Sequence, residues 1–158
     1  MRYANITLAV AMAALSPARA QPAFEAAEGA AAPLALGSRI FSNRDFTALS
    51  IPEALRGSTF IQAPIDSCQS LVCTQPGTLF AVTPAKHPEN SLAEQLRAQG
   101  FEQLPGEPFQ FFGAQPADKA AVFRKTVAAG ETLQTRKWVV LLAHGGLTLT
   151  RPKRDRHW

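Results

Sequence analysis

Beyond residue 20, proline and glycine cut every apolar stretch of the chain to the length of a β-strand. Pro52, Pro64, Pro76-Gly77, Pro84 and Gly145-Gly146 fall between the hydrophobic runs. A fixed φ or a missing side chain at such points ends regular structure instead of extending it. The runs they bound read as strands: Ser58–Ala63, Gly77–Thr83, Phe109–Phe112, Ala120–Val127, Lys137–Ala143 and Leu147–Thr150, with Arg39–Ser42 and Phe46–Ile51 as weaker candidates. The run KWVVLLA has no alternation, which predicts a strand, opened by Trp138, that is buried on both faces.

Two segments read as helical. Pro52 opens, and Gly57 follows, a single turn, the order that helix ends favour. Ser91 and Glu94 have the spacing of a capping box, so a helix is expected over 91–99, with Leu92 and Leu96 on one face. Gly100 can then take a left-handed cap, and Phe101 can fold back on the last turn. Many short strands with one helix predict a mostly β chain, an antiparallel sandwich of jelly-roll-like form in a single domain. Long helices between strands are missing, which disfavours a doubly wound α/β fold.

The first twenty residues have the layout of an export signal. Arg2 precedes the apolar run ITLAVAMAAL, and Ala18-Arg19-Ala20 offers small residues for cleavage after Ala20. Ten apolar residues are too few for a helix across a bilayer of about 30 Å. The expected location is therefore secreted or periplasmic, with no transmembrane span after signal removal. Residues 21–37, Ala-rich with two Pro and two Gly, read as a flexible leader; 38–150 is the expected domain, and 151–158 a flexible basic tail.

Removing Arg2 and Arg19 lowers the net charge from +4 to +2, and the tail RPKRDRHW carries +3 of its own. Residues 21–150 are thus slightly acidic. A nucleic-acid groove needs basic side chains spread along a folded face, so that partner is not expected. The tail could meet anionic head groups or acidic polymers.

Cys68 and Cys73 flank four residues. In an oxidising compartment two such close thiols are expected to pair as a disulfide, pinning the segment between Pro64 and Pro76. A redox pair would use C-x-x-C, and zinc would need further ligands, so no metal and no cofactor is expected.

Four residues are candidates for ligand contact: Asp45 and Asp66 in loops beside strands, Trp138 and His144. A loop carboxylate can accept sugar hydroxyls, although turn-capping is the commoner use of Asp. His144-Gly145-Gly146 matches the H-G-G stretch that supplies oxyanion-hole amides in esterases, but the chain has no G-x-S-x-G elbow, and no catalytic residue is assigned. Phe dominates the aromatics, which favours core packing over stacking platforms.

The segments IPEALRG (51–57) followed by TFIQ, then PGTLFAV, LAEQLRAQGF, VFRKTVAAGETL and KWVVLL resemble a β-sandwich module of exported bacterial proteins that is often appended to polysaccharide-active enzymes. The resemblance covers most of residues 50–142. It implies a jelly-roll-like sandwich with an accessory, non-catalytic role and transfers no catalytic residue. The expected function is an exported binding domain for carbohydrate or an anionic envelope polymer. The alternatives are a small secreted, esterase-like hydrolase using Asp66 or His144, or a structural or inhibitory partner of another exported protein.

Overall fold

The computed structural model is described for residues 21–85, 91–106, 109–112 and 119–152. The expected export signal and all of the basic tail beyond Pro152 lie outside them. The fold is mostly β, two sheets with one short helix, as the breaker spacing predicts. The strands are β1 (Ala23–Glu25), β2 (Ala30–Pro33), β3 (Ser58–Gln62), β4 (Ser70–Gln75), β5 (Gly77–Pro84), β6 (Glu102–Gln103), β7 (Phe109–Gln110), β8 (Lys119–Val127), β9 (Thr132–Gln134), β10 (Val140–His144) and β11 (Thr148–Thr150); the helix α1 is Ala93–Ala98. A 3-10 turn at Glu53–Leu55 sits where Pro52 and Gly57 place it. Among the described residues no helix is long and apolar enough to cross a membrane.

The small sheet runs β11-β1-β4-β9 and the large sheet β2-β3-β10-β5-β8-β6, with β7 also on β8. All named pairs are antiparallel except β1 with β11, which run parallel and bring both ends of the described chain side by side. Both faces of the central strands β5 and β10 are covered. Leu79 and Ala81 of β5, Leu141 and Ala143 of β10, and Phe123 and Val127 of β8 meet Phe24, Leu71, Cys73 and Leu133 of the small sheet. The alternate residues Phe80, Val82, Val140 and Leu142 face a second layer of loops carrying Leu34, Ile40, Phe41, Leu55, Ile65, Phe111 and Phe112. Strand alternation sends successive side chains to opposite faces, so a strand between two apolar layers must be apolar throughout. This is why KWVVLLA reads as continuous from Val140 to Ala143.

Several expectations are corrected. Residues 21–37 are no loose leader: β1 and β2 lie in the two sheets, and Phe24 is fully buried between them. The low-complexity composition hides this, because β2 is an edge strand of three alanines and Pro33, exposed except at the half-buried Ala32. Arg39–Ser42 and Phe46–Ile51 form no strands, only single bridges from Arg39 to Thr47 and from Phe41 to Ala63. The segment between the cysteines enters strand β4. Arg151, expected in the mobile tail, is fixed: its guanidinium donates to Ala26 O (3.3 Å) and Gly29 O (2.6 Å).

The disulfide is absent. Cys68 is exposed, Cys73 is buried, and both are free thiols. The reason is geometric. An extended chain rises about 3.3 Å per residue, so five residues set the two Cα atoms roughly 16 Å apart, against a bridging limit of about 7 Å. Cys68 precedes β4, whereas Cys73 lies within it and is buried in the core. Burial pushes the Cys73 thiol above its ordinary value of 9.0, and the Glu131 carboxylate adds to the effect.

The helix is shorter than expected, and its capping box does not form: no side chain caps its N-terminus, where Leu92 stands. The Leu92 N–H donates instead to Thr83 Oγ1 of β5, at 3.1 Å. The C-terminal expectation holds. Gly100 takes φ +95°, and the buried Phe101 donates its N–H back to Leu96 O at 3.0 Å.

Candidate functional site

Three segments meet at one end of the sandwich around Ile65. Its N–H donates to Asn43 Oδ1 at 2.9 Å, and its carbonyl accepts from Trp138 N at 3.2 Å. The loop after Phe41, the turn at Pro64–Ser67 and the turn at Arg136–Val139 are thereby tied together. Polar turn residues make this possible, since Asn43 supplies the acceptor that a buried N–H demands.

Trp138 does not begin a strand. It occupies the turn before β10 with φ +69°, and among the described residues it is the one non-glycine with positive φ. Left-handed backbone costs a side-chain-bearing residue about 1–2 kcal/mol, so the surroundings must hold it there. They are aromatic. The Trp138 ring lies edge-on to Phe41 and Phe112, each at 5.8 Å, and tilted against Phe46 at 5.3 Å. Trp138 and Phe46 are both only half-buried, so part of each ring remains at the surface.

Asp45 precedes Phe46 in the chain, and Asp66 follows Ile65. The Asp45 carboxylate is almost fully exposed and meets Arg39 Nη2 at 3.1 Å. Asp66 is exposed in the Ile65 turn, and Arg136 and Lys137 are exposed beside Trp138. The sequence candidates Asp45, Asp66 and Trp138 are thus brought to one end. His144 is not with them. It ends β10 at the far end of the strand, exposed, with its ring edge-on to Phe80 at 5.2 Å. Ser58 stands directly across from it on β3, yet the Ser58 hydroxyl is buried and makes no hydrogen bond. No nucleophile, base and acid are gathered there among the described residues.

Beside the Ile65 turn a crevice opens between the sheets, lined in part by Phe41, Ala63, Pro64, Ser67, Gln69 and Arg136. It encloses about 20 Å³, enough for one or two waters and no deeper ligand. Its polar side is an internally satisfied network. Ser67 Oγ donates to Glu28 Oε1 at 2.6 Å, Gln69 Nε2 donates to Glu28 O at 3.1 Å, and Gln69 N donates to Thr135 Oγ1 at 3.1 Å. Sequence reasoning missed Glu28, Ser67, Gln69 and Arg136. Glu28 lies in a stretch whose composition reads as a leader, and the others belong to no motif. At this end of the sandwich the available shape is therefore a shallow aromatic and polar surface. Among the described residues no group of three or more His, Cys, Asp or Glu is placed to hold a metal ion.

No protein-family profile matches the chain, and no curated protein matches it. Among solved structures, a GH138 enzyme targeting pectin rhamnogalacturonan II is similar over 79% of this chain, at 18% identity and a TM-score of 0.53. The chain spans only 17% of that enzyme's length. What the two share is the fold: a β-sandwich that also occurs as one part of a much longer polysaccharide-related enzyme.

Proposed function

We propose that this chain is an exported, non-catalytic binding domain for carbohydrate or an anionic envelope polymer, and that the end carrying Trp138 is its contact face. The observation that carries the reading is the shared fold. In the enzyme targeting pectin, a sandwich like this one takes up a minor share of the chain, as an accessory module does. The site supports the same reading. A half-buried Trp–Phe pair offers an apolar surface on which a sugar ring can lie, and Asn43, Asp45, Asp66, Arg136 and Lys137 lie along the segments that flank it. The strain at Trp138 fits a residue held for contact, since such strain collects at functional positions.

The test is affinity electrophoresis of residues 21–158 through gels containing pectic, neutral and acidic bacterial polysaccharides, repeated after removal of residues 153–158. Retardation by a polysaccharide, lost in Asp66→Ala or Arg136→Ala without a change in melting temperature, is the expected result. Migration unaffected by every polymer would end the proposal. Retardation that survives the site variants but disappears with the tail would move binding to the tail.

A further inference from the structure

We propose that Gln21 is a modification site: once the export signal is removed after Ala20, its new α-amine closes on its own side-chain amide and leaves an N-terminal pyroglutamyl ring. This rests on the export reading, and the structure adds what makes the step possible. Gln21 is exposed, and its side-chain amide makes no hydrogen bond among the described residues. The amide lies over Gly145 and Gly146; a Cβ on Gly146 would come within 2.6 Å of Gln21 Oε1. Two successive glycines thus leave open the space that the amide occupies.

The backbone is held from the same residue onward. Gln21 O accepts from Gln75 Nε2 at 2.8 Å, and Pro22 O accepts from Thr148 N at 3.2 Å. Pro22 is buried, and β1 starts at Ala23. A chain that begins at Gln21 keeps all of these contacts. Ring closure disturbs none of them, because it uses only the amine and the side chain, and Pro22 has no N–H to lose.

The chemistry balances without a co-reactant. An α-amine has a pKa of about 8, so a usable fraction is uncharged near neutral pH. Its lone pair attacks Gln21 Cδ; the N–Cδ bond forms, the Cδ–Nε2 bond breaks, and Nε2 leaves as ammonia with the proton given up by the amine. Both reacting groups belong to one residue, so their effective concentration is high. The free amide can swing from the glycines to reach the amine. The product carries a neutral lactam where an ammonium stood, and a terminus closed to aminopeptidases.

The experiment expresses the full chain in a secreting bacterial host and measures intact mass and N-terminal peptide fragmentation on freshly exported protein, with Gln21→Ala in parallel. The expected product starts at residue 21, is one ammonia lighter than the linear chain, and resists stepwise chemical degradation from its N-terminus. The Gln21→Ala chain degrades from its first residue. A product that starts at Gln21 with a free amine overturns the ring closure and leaves the export reading standing. A product that retains residues 1–20 overturns both.

Discussion

The side-chain amide of Gln99 makes both hydrogen bonds that a neighbouring strand would make to Gln134: its Oε1 accepts from Gln134 N at 2.8 Å, and its Nε2 donates to Gln134 O at 3.1 Å. Gln134 lies on β9, the edge of the small sheet. The residue that ends helix α1 therefore closes an edge that would otherwise present free amides and carbonyls. Arg151 takes two carbonyls, Ala26 and Gly29, between β1 and β2. Unpaired edges are templates for association, and covering them is a common remedy.

Replacing Gln99 by Ala removes two exposed hydrogen bonds and should cost about 1 kcal/mol at most, since water can take their place. The same variant should self-associate more through β9. Urea denaturation and size-exclusion chromatography over a concentration series check the two effects, and a strictly monomeric Q99A would show that the edge is not a liability.

Lys125 Nζ meets Glu131 Oε2 at 2.5 Å and also donates to Gln99 O, tying β8 to the helix end and to the turn before β9. Burial acts to raise the Glu131 pKa, but the hydrogen bonds from Lys125 and Ala128 N outweigh it and hold the carboxyl below its ordinary 4.5. A depressed carboxylate contributes stability above its unfolded value and loses it as pH falls through the folded one. Glu131→Gln should therefore flatten the acid side of the stability profile and cost about 2 kcal/mol at neutral pH. A melting series from neutral to acid pH decides; parallel profiles for both proteins would refute the assignment.

At Trp138 two substitutions separate strain from packing. Both Ala and Gly remove the ring from Phe41, Phe46 and Phe112, but only Gly is at ease at φ +69°. Trp138→Gly should therefore be more stable than Trp138→Ala by about 1 kcal/mol, while both abolish polymer retardation. Equal stabilities would mean that the left-handed backbone carries no strain.

The thiols give a direct count. Native protein should react with a thiol reagent at Cys68 alone, and at Cys73 only after unfolding, because Cys73 is buried and its Sγ donates to Gln75 O at 3.1 Å. Cys68→Ser should leave the melting temperature unchanged; Cys73→Ser, which buries a hydroxyl in the core, should lower stability by about 1–3 kcal/mol. A lower melting temperature in C68S alone, under oxidising conditions, would restore the disulfide.

Phe24 tests whether the first described strand belongs to the fold. Its side chain is fully buried between the sheets. Phe24→Ala should cost about 3–5 kcal/mol, read from chemical denaturation. A flexible leader would show almost no effect.

The contrast between Phe24 and Leu141 shows how far the sequence reaches. Leu141 lies in an uninterrupted apolar run, and such a run has one economical fate, a strand with a layer on each side. Thus β5, β8 and β10, the 3-10 turn after Pro52 and the Gly100 cap are legible along the chain, as is the mostly β class. Phe24 is a lone aromatic in an Ala-rich stretch, and β1 exists only because β4 and β11 flank it. Likewise β9 carries a single apolar residue, Leu133, and is a strand because of its neighbour β4. The Ser91–Glu94 box is the reverse case: the local signal is present, but Thr83 offers Leu92 a partner from another element.

The candidate site divides in the same way. Asp45, Asp66 and Trp138 are visible individually as polar loop acids and an aromatic before a hydrophobic run. Their assembly is not, because it depends on the hydrogen bonds of Ile65 to Asn43 and Trp138, three segments far apart in sequence. Local chain chemistry, acting over a few residues, determined where this protein turns and which strands lie at its centre. Pairing between distant segments, which has no local signature because its energy exists only once both partners are in place, decided which weak strands form, why the two thiols stay apart, and which side chains share a surface.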